Sequence, residues 1–167
     1  MTQLNEVETS QLKRPANKVL KLYHKTLKYP FGKYLFSQMV AYKAPYFSTI
    51  RPFLSIVKQD YCECLIKKRW RVQNHIKTVH VIAICNGLEM AMGTMAEVSI
   101  PSHLRWIPKG MSVDYVAKAG TNIRCVAEVV DEWQPGDLDV KVTAFDENNV
   151  EVVTGTIKLW VSEKPNR

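Results

Sequence analysis

The sequence predicts an α+β domain in which one antiparallel sheet wraps around a central helix. The segment from Val79 to Ala96 is rich in alanine, methionine and leucine, which favour helix, and it is apolar on nearly every face. Other segments alternate apolar and polar residues, which is typical of half-buried strands. Because a helix that is apolar on nearly every face must be buried nearly all round, one sheet curved around it is the simplest arrangement.

Length and composition are those of one soluble globular domain. The chain has 167 residues, of which 46% are hydrophobic and 23% are charged. A chain of this length buries enough surface to need no disulfide or metal. We therefore predict a single domain over residues 1–167, with residues 1–12 flexible, residues 13–43 forming a helical pair, and residues 45–162 forming the sheet and its central helix.

Two helices are predicted ahead of the sheet. Pro15 suits the first turn of a helix, and the Tyr29-Pro30 pair ends that helix. The second helix is predicted over residues 31–42, and its apolar residues share one stripe: Phe31, Leu35 and Met39. We expect this pair to cap the domain. The alternative is that these basic, amphipathic helices lie on a membrane surface.

Six segments are predicted as strands because they are short and apolar or alternate with a period of two: 53–57, 61–69, 111–117, 123–129, 138–144 and 150–161. The Pro135-Gly136 turn and the polar loop 146–149 join successive strands closely. Such connections predict an antiparallel meander. The alternation shifts at Gly155, where we expect a bulge.

Several patterns bear on where the protein resides. The N-terminus lacks a basic segment followed by an apolar run, so no secretory signal is expected. The longest apolar stretch is interrupted by His80, Asn86 and Glu89, so no membrane span is expected. The four cysteines are Cys62, Cys64, Cys85 and Cys125. They include no CxxC pair, which indicates reduced, buried thiols and a cytoplasmic protein.

Charge is distributed unevenly along the chain. Residues 1–80 hold fifteen Lys and Arg against four Asp and Glu, whereas residues 81–167 hold eight against twelve. A basic half can attract nucleic acid, an anionic membrane or a phosphorylated small molecule. The four histidines show no metal-ligand spacing, so we expect neither a metal nor a cofactor.

Glu89 is the first candidate for chemistry. It lies well inside the apolar helix, between Leu88 and Met90. A carboxylate in such a place is costly unless it has a partner or a pocket. Carboxylates in unusual environments are common at functional sites. The alternatives are that Glu89 sits on one wet edge of the helix, or that a structural salt bridge holds it.

The polar loop that precedes the helix is the second candidate. It contains Asn74 and Lys77 and leads to His80 near the helix N-terminus. Backbone N–H groups at a helix N-terminus are unpaired and can bind an oxyanion. A polar loop, a helix N-terminus and a carboxylate two to three turns later could together serve acyl transfer. The alternative is that Asn74 and His80 only cap the helix.

The spacing of these residues resembles a known signature. Residues 74–93 resemble the signature of hotdog-fold acyl-CoA thioesterases of the phenylacetate-pathway type. That signature is an asparagine, five residues, a histidine, usually two glycines, and an acidic residue nine positions after the histidine. Asn74, His80 and Glu89 fall in that register, while Val81-Ile82 stands in place of the glycine pair.

The resemblance extends along the rest of the chain. Residues 107–111, followed by Val113 and Tyr115, are similar to the strand that follows the central helix in this fold. The two predicted N-terminal helices and the run Ala44-Pro45-Tyr46-Phe47 resemble an uncharacterised branch of thioesterase-like hotdog proteins. The resemblance therefore implies a hotdog fold, in which an antiparallel sheet wraps a central apolar helix, with two N-terminal helices added.

The resemblance also implies residue roles. Glu89 would act as nucleophile or as general base on water, and Asn74 would position the water or the thioester. The backbone N–H of Val81 would polarise the thioester carbonyl, with His80 in the same catalytic group. In this fold the site normally forms between two subunits, so Glu89 would face Asn74 and Val81 of a partner chain. The protein would then be a homodimer or a higher homo-oligomer.

One function and two alternatives follow. We predict a thioesterase that hydrolyses an acyl-CoA or related acyl thioester, with Asn86, Met90 and Lys77 binding the substrate. The first alternative is a non-catalytic acyl- or lipid-binding module. The more distant alternative is a nucleic-acid-binding protein that uses the basic N-terminal half. Because no recognised nucleic-acid motif occurs, no nucleic-acid partner is expected.

Overall fold

The computed structural model describes residues 14–165, so the predicted flexible segment 1–12 lies outside the described residues. Within the described range the α-helices are α1 (Lys18–Thr26), α2 (Gly32–Lys43) and α3 (Val81–Ser99). The strands are β1 (Phe53–Lys58), β2 (Tyr61–Ile66), β3 (Leu104–Tyr115), β4 (Ile123–Glu128), β5 (Gly136–Phe145) and β6 (Glu151–Glu163). Short 3₁₀ helices lie at Pro45–Ile50, before β1, and at Trp70–Val72, after β2.

The strands form a six-stranded sheet in the order β1-β2-β4-β5-β6-β3, and each neighbouring pair is antiparallel. The predicted antiparallel sheet is confirmed, but the predicted simple meander is wrong. α3 follows β2, and the next strand, β3, pairs with β6 at the far edge of the sheet. β4 then returns to pair with β2. β3 also begins at Leu104, well before the predicted start at Met111.

α3 is the core helix of the sheet, as predicted. It packs on β1, β2, β4 and β5, and Leu88 and Met92 are fully buried. Gly87 permits the close approach, since a Cβ at that position would lie 2.5 Å from the Ile66 side chain and 2.8 Å from Cys125 Sγ. The helix is long and apolar enough to cross a membrane by length and composition, but most of it is buried inside the protein.

One face of α3 nevertheless points outward. Its members recur every three or four residues and are exposed or only partly buried: Ile82, Cys85, Glu89, Gly93 and Glu97. We call these residues the outward stripe of α3. The helix is therefore buried on nearly every face, as predicted, and Glu89 lies on its solvent-exposed edge, which was one of the alternatives for this residue.

α1 and α2 pack against each other, and α2 packs on β1. The predicted helical pair is thus present, but α2 does not pack through its apolar stripe. The buried residues of α2 are Gly32, Phe36, Ser37 and Ala41. The predicted apolar stripe faces away from the protein: Phe31, Leu35 and Met39.

Polar contacts to the edge strand explain the orientation of α2. The Ser37 hydroxyl accepts a hydrogen bond of 2.8 Å from the Leu54 N–H, and Lys33 Nζ donates one of 2.7 Å to the Ser55 carbonyl. These contacts give two backbone groups of β1 a partner, which a buried or half-buried strand edge requires. The face of α2 that carries Phe36 and Ser37 therefore turns inward, while the Lys33 side chain reaches β1 from the exposed edge of the helix.

Gly155 lies in a regular part of β6, opposite Val113 of β3. The predicted bulge at this residue is wrong, and the irregular register of the β3–β6 pair falls between Pro108 and Gly110 instead. The glycine is needed because the two strands approach so closely. A Cβ on residue 155 would lie 2.1 Å from the Ser112 carbonyl oxygen.

All four cysteines are free thiols, and three of them are buried as predicted: Cys62, Cys64 and Cys125. Burial raises the pKa of the Cys64 thiol to about 12, so this thiol stays protonated and unreactive. Cys85 differs because it is only partly buried and lies on the outward stripe of α3.

Candidate functional site

A cavity of about 300 Å³ opens between the outward stripe of α3, the 3₁₀ helix Pro45–Ile50 and the sheet edge formed by β3 and β6. Its lining residues are Tyr46, Ile82, Cys85, Asn86, Glu89, Pro108, Gly110, Met111 and Ile157. Most of these side chains are apolar. Two of the predicted site residues, Glu89 and Asn86, supply polar groups to its wall.

The Glu89 carboxylate is exposed and lines the cavity. No hydrogen-bond or ion-pair partner from residues 14–165 holds it, so the alternative of a structural salt bridge finds no support within one chain. The side chain is one helical turn from Cys85 on the outward stripe. It is therefore an unpaired carboxylate beside an apolar cavity, free to contact a ligand or a second subunit.

Asn86 ties α3 to the 3₁₀ helix Pro45–Ile50. Its Nδ2 donates to Thr49 Oγ1 at 3.1 Å and to the Tyr46 carbonyl at 3.5 Å. Because a carbonyl oxygen can only accept, the second contact sets the orientation of the amide. Asn86 Oδ1 is then buried without a donor from the described part of the chain. Such an unpaired acceptor costs about 1–3 kcal/mol, which a donor from a bound ligand would offset.

Cys85 lies beside Glu89, and the charge of the Glu89 carboxylate affects the pKa of the Cys85 thiol. Burial raises the pKa of the Cys85 thiol, and the nearby Glu89 carboxylate raises it further. The thiol is therefore a weak nucleophile at neutral pH, since the thiolate is the reactive form.

The pH dependence of Cys85 alkylation should reveal this coupling. We expect the rate with iodoacetamide to rise with a midpoint above the ordinary cysteine pKa of about 8.5. In Glu89→Gln the midpoint should fall, because removing the anion stabilises the thiolate. Mass spectrometry identifies the labelled cysteine at each pH. A midpoint below the ordinary range, or one unaffected by Glu89→Gln, would contradict this placement of the two groups.

Asn74 organises the loop in which it lies. Its Oδ1 accepts from the N–H groups of Ile76 and Thr78, each at 3.1 Å, and its Nδ2 donates to Thr78 Oγ1 at 2.8 Å. Lys77 occupies the exposed tip of this loop in a left-handed conformation, with φ 61°. Within one chain, these bonds favour the alternative in which Asn74 has a structural role.

His80 caps α3. Its Nδ1 accepts a hydrogen bond of 3.1 Å from the Ile82 N–H, as an N-cap residue does. The neighbouring Val81 N–H has no acceptor from residues 14–165. A backbone donor at the helix N-terminus therefore remains free to bind an oxygen atom, as the predicted role of Val81 requires.

The structure brings only part of the predicted site together within one chain. Glu89 and Asn86 share the cavity, while the loop residues Asn74 and Lys77 do not line it. Met90, predicted to bind substrate, is fully buried in the hydrophobic core and does not line the cavity. It lies one residue beyond Glu89 on the helix, which turns its side chain from the outward stripe towards the core.

A cluster of positive charge lies next to the cavity. It consists of Arg51, Arg69 and Arg71, which we call the arginine cluster. Burial lowers the pKa of Arg69, and the charges of Arg51 and Arg71 lower it further. Arg69 Nη2 donates to the Thr49 carbonyl at 2.8 Å, and Thr49 in turn contacts Asn86. The cluster is thus connected to the cavity wall through one residue.

The arginine cluster is not neutralised within residues 14–165. No carboxylate there forms an ion pair with it, and Arg69 Nε is buried without an acceptor. The Trp70 side chain, between Arg69 and Arg71 in sequence, is 85% exposed. The three cations repel one another, and the Arg69 Nε donor has no acceptor. An anionic ligand would offset the repulsion and could accept a hydrogen bond from this donor, so the cluster favours an anionic ligand.

The family model described as "Domain of unknown function (DUF4442)" matches residues 32–161. The chain belongs to this family. The matched range includes every residue that lines the cavity and all three residues of the arginine cluster. No curated protein matches the chain.

Solved structures resemble this DUF4442 protein over most of its length. A structural-genomics crystal structure, APC5556, is 39% identical over 87% of this chain and 98% of that chain, with a TM-score of 0.76. Thioesterase HI1161 from Haemophilus influenzae is 10% identical over 73% and 85% of the two chains, with a TM-score of 0.65. A thioesterase family protein from Silicibacter pomeroyi is 16% identical over 78% and 99%, with a TM-score of 0.66.

These similarities confirm the predicted hotdog fold and the predicted resemblance to thioesterase-family hotdog proteins. At identities of 10% and 16% the likeness to the two thioesterases shows the fold alone.

Sequence reasoning missed several residues of this site. Tyr46, Cys85 and Met111 were not predicted to line a cavity, and the arginine cluster was seen only as part of a basic half. One signal was available for Cys85, which lies four residues before Glu89 and so on the same helical face. The others come from distant segments, whose proximity only the fold creates.

Proposed function

We propose that this DUF4442 protein hydrolyses an acyl thioester whose acyl group occupies the cavity beside α3. The observation that carries the proposal is the unpaired Glu89 carboxylate on the wall of a mostly apolar cavity. A volume of about 300 Å³ lies at the small end of the range for ligand pockets and suits a compact acyl group. Asn86 Oδ1 offers one acceptor for a polar group of the substrate.

Glu89 would act in one of two ways. As a general base it would take a proton from water, so that the hydroxide adds to the thioester carbonyl and the C–S bond then breaks. As a nucleophile it would form a mixed anhydride with the acyl group, release the thiolate, and be regenerated by water. In both routes the products are a carboxylic acid and a thiol, and no redox partner is needed.

The negative oxygen that forms during attack requires a donor. The free Val81 N–H is the best candidate, and in the proposed arrangement it comes from a second subunit together with Asn74.

β3 supports such an assembly because it is an edge strand with exposed apolar side chains at Ile107, Met111 and Tyr115. Exposed strand edges are commonly covered by pairing. Light scattering at micromolar concentration should give a homodimer or larger, and a monomer would contradict the shared site.

The arginine cluster would bind the phosphate groups of a CoA-like carrier. Its cations lack carboxylate partners within the described chain, and Thr49 connects Arg69 to the cavity wall. The exposed ring of Trp70 could stack on a nucleotide base. In this arrangement the charged carrier would lie outside the cavity and the acyl group would lie inside it.

Arg71→Ala tests the carrier site. Arg71 is exposed and makes no hydrogen bond within the described chain, so its removal should leave folding unchanged. We expect KM for an acyl-CoA to rise on the order of tenfold while kcat changes little, because one charge-assisted phosphate contact is lost. The wild-type KM should also rise with salt. Lys118→Ala, which removes an exposed cation in the loop after β3, is the control; equal effects in both variants would remove the specific role of the cluster.

A specific observation favours a second candidate function. The Ile82 side chain is 56% exposed and lines the cavity, at a position where a glycine would leave more room for a thioester. A cavity narrowed in this way suits a module that binds an acyl or lipid group without cleaving it. In that case the protein would bind acyl-CoA with the same salt dependence but release no thiol.

A panel of acyl-CoA esters separates the two functions. Release of CoA is followed with a thiol-detecting reagent, and the loss of thioester absorbance provides a signal independent of the cysteines of the protein. We expect turnover with compact acyl groups and weaker turnover with long chains, because the cavity is small. Binding of several esters without release of CoA from any would favour the non-catalytic module.

A further inference from the structure

The outer surface of the α1–α2 hairpin carries an exposed apolar stripe. Its residues recur at helical spacing along α2 and the residue before it: Phe31, Tyr34, Leu35, Met39 and Tyr42. Phe31 is 86% exposed and Tyr42 is 90% exposed. The opposite face of α2 packs on β1, and no element of residues 14–165 covers this stripe. We call it the hairpin stripe.

The backbone holds Phe31 at the tip of the hairpin in an unusual conformation. Its φ is 60°, in the left-handed region, where bulky side chains are uncommon. The next residue, Gly32, lets α2 approach α1 closely, since a Cβ there would lie 2.0 Å from the Thr26 carbonyl oxygen. With Tyr29 and Pro30, both exposed, Phe31 makes an apolar tip between the two helices.

The charges within the hairpin segment itself have one sign. Between Pro15 and Pro52 every charged residue is basic: Lys18, Lys21, Lys25, Lys28, Lys33, Lys43 and Arg51. The four lysines of the α1 segment are exposed, and none forms an ion pair with a carboxylate of residues 14–165. The partner of this surface should therefore be negatively charged as well as able to accept apolar side chains.

We propose that the α1–α2 hairpin docks the protein on an anionic lipid surface. Phe31, Leu35 and Tyr42 would enter the interface between head groups and acyl chains, and the lysines would contact the head groups. Tyrosine suits this depth because its ring is apolar and its hydroxyl stays hydrated. The inference stands on the hairpin alone and does not depend on thioester hydrolysis.

Two other occupants fit this surface less well. A second copy related by a two-fold axis would bring the lysines of two hairpins together, which like-charge repulsion disfavours. A nucleic acid would match the lysines, but it offers nothing for the aliphatic side chains Leu35 and Met39. A lipid surface accounts for both the charge and the apolar stripe.

Vesicle flotation tests the proposal with the full-length protein. Wild type should float with vesicles of phosphatidylcholine and phosphatidylserine, should not float with phosphatidylcholine alone, and should dissociate as salt rises. Phe31→Ser with Tyr42→Ser, and separately Lys25→Glu with Lys28→Glu, should each weaken binding on the order of tenfold or more. The matched controls are Val130→Ser, an exposed apolar site elsewhere, and Lys118→Glu with Lys158→Glu. These should bind as wild type does.

Several results would overturn the proposal. One is the absence of binding to anionic vesicles at low salt, and another is equal binding by the hairpin variants and their controls. If Phe31→Ser with Tyr42→Ser changes the mass in light scattering and leaves vesicle binding intact, the hairpin stripe is a contact between copies. If the wild type binds a DNA oligonucleotide but not vesicles, and Lys25→Glu with Lys28→Glu abolishes that DNA binding, the surface binds nucleic acid.

Discussion

Glu89→Gln should lower kcat for the best thioester on the order of 10²-fold or more, because general-base and nucleophilic groups contribute at least that much. The melting temperature should stay close to that of wild type. Glu89 is exposed and no group of the described chain pairs with it, so folding gains little from its charge. Steady-state release of CoA and a thermal melt on the same preparation give both quantities.

Glu97→Gln is the matched control for this variant. Glu97 lies two helical turns beyond Glu89 on the outward stripe of α3, and it accepts a hydrogen bond of 3.1 Å from Trp106 Nε1. A glutamine retains an acceptor for that bond, so both turnover and melting should match wild type. If Glu89→Gln instead melts several degrees lower and turns over at the wild-type rate, Glu89 is structural and the proposed mechanism is wrong.

Gly155→Ala should destabilise the protein by about 1–3 kcal/mol, the usual range for an added group in a tightly packed place. The added Cβ would lie 2.1 Å from the Ser112 carbonyl oxygen and 2.8 Å from Val113 Cα, and both atoms belong to the backbone of β3. Since backbone cannot rotate away as a side chain does, β3 must shift from β6. Urea titration and thermal melting measure the loss.

Gly110→Ala provides the stability control in the same strand pair. A Cβ at residue 110 meets nothing within 4 Å, so the unfolding free energy should stay near the wild-type value. Gly155→Ala should also impair binding in the cavity, because Gly110 and Met111 of β3 form part of its wall. Equal stability of the two variants would mean that β3 and β6 pack less closely than the structure indicates.

Patterns within single segments were enough to predict the core of the fold. The apolar run of α3 predicted the helix, and the period-two segments predicted the sheet. Two residues of the cavity wall, Glu89 and Asn86, were also among the predicted site residues. The pairing of β3 with β6 was not visible in this way. It depends on register between segments about fifty residues apart, and similar apolar alternation would also suit a meander.

Side-chain contacts between distant segments determine two features that the sequence did not predict: the orientation of α2 and the arginine cluster. The apolar stripe of α2 is visible in the sequence, but it faces outward, and Ser37 and Lys33 instead supply partners to the backbone of β1. The arginine cluster joins residue 51 to residues 69 and 71 only after folding. The roles of Lys77 and His80 in a shared site, and a cytoplasmic location, remain predictions.

Protection of Cys85 by a substrate analogue tests directly whether the chemistry occurs in this cavity. A thioether analogue of the best acyl-CoA cannot be hydrolysed and should compete with substrate. Cys85 lines the cavity beside Glu89, so bound analogue should slow its alkylation. We predict that half-maximal protection of Cys85 and half-maximal inhibition of hydrolysis occur at the same free concentration of analogue. Complete inhibition with Cys85 alkylated at its unprotected rate would show that the thioester is cleaved elsewhere.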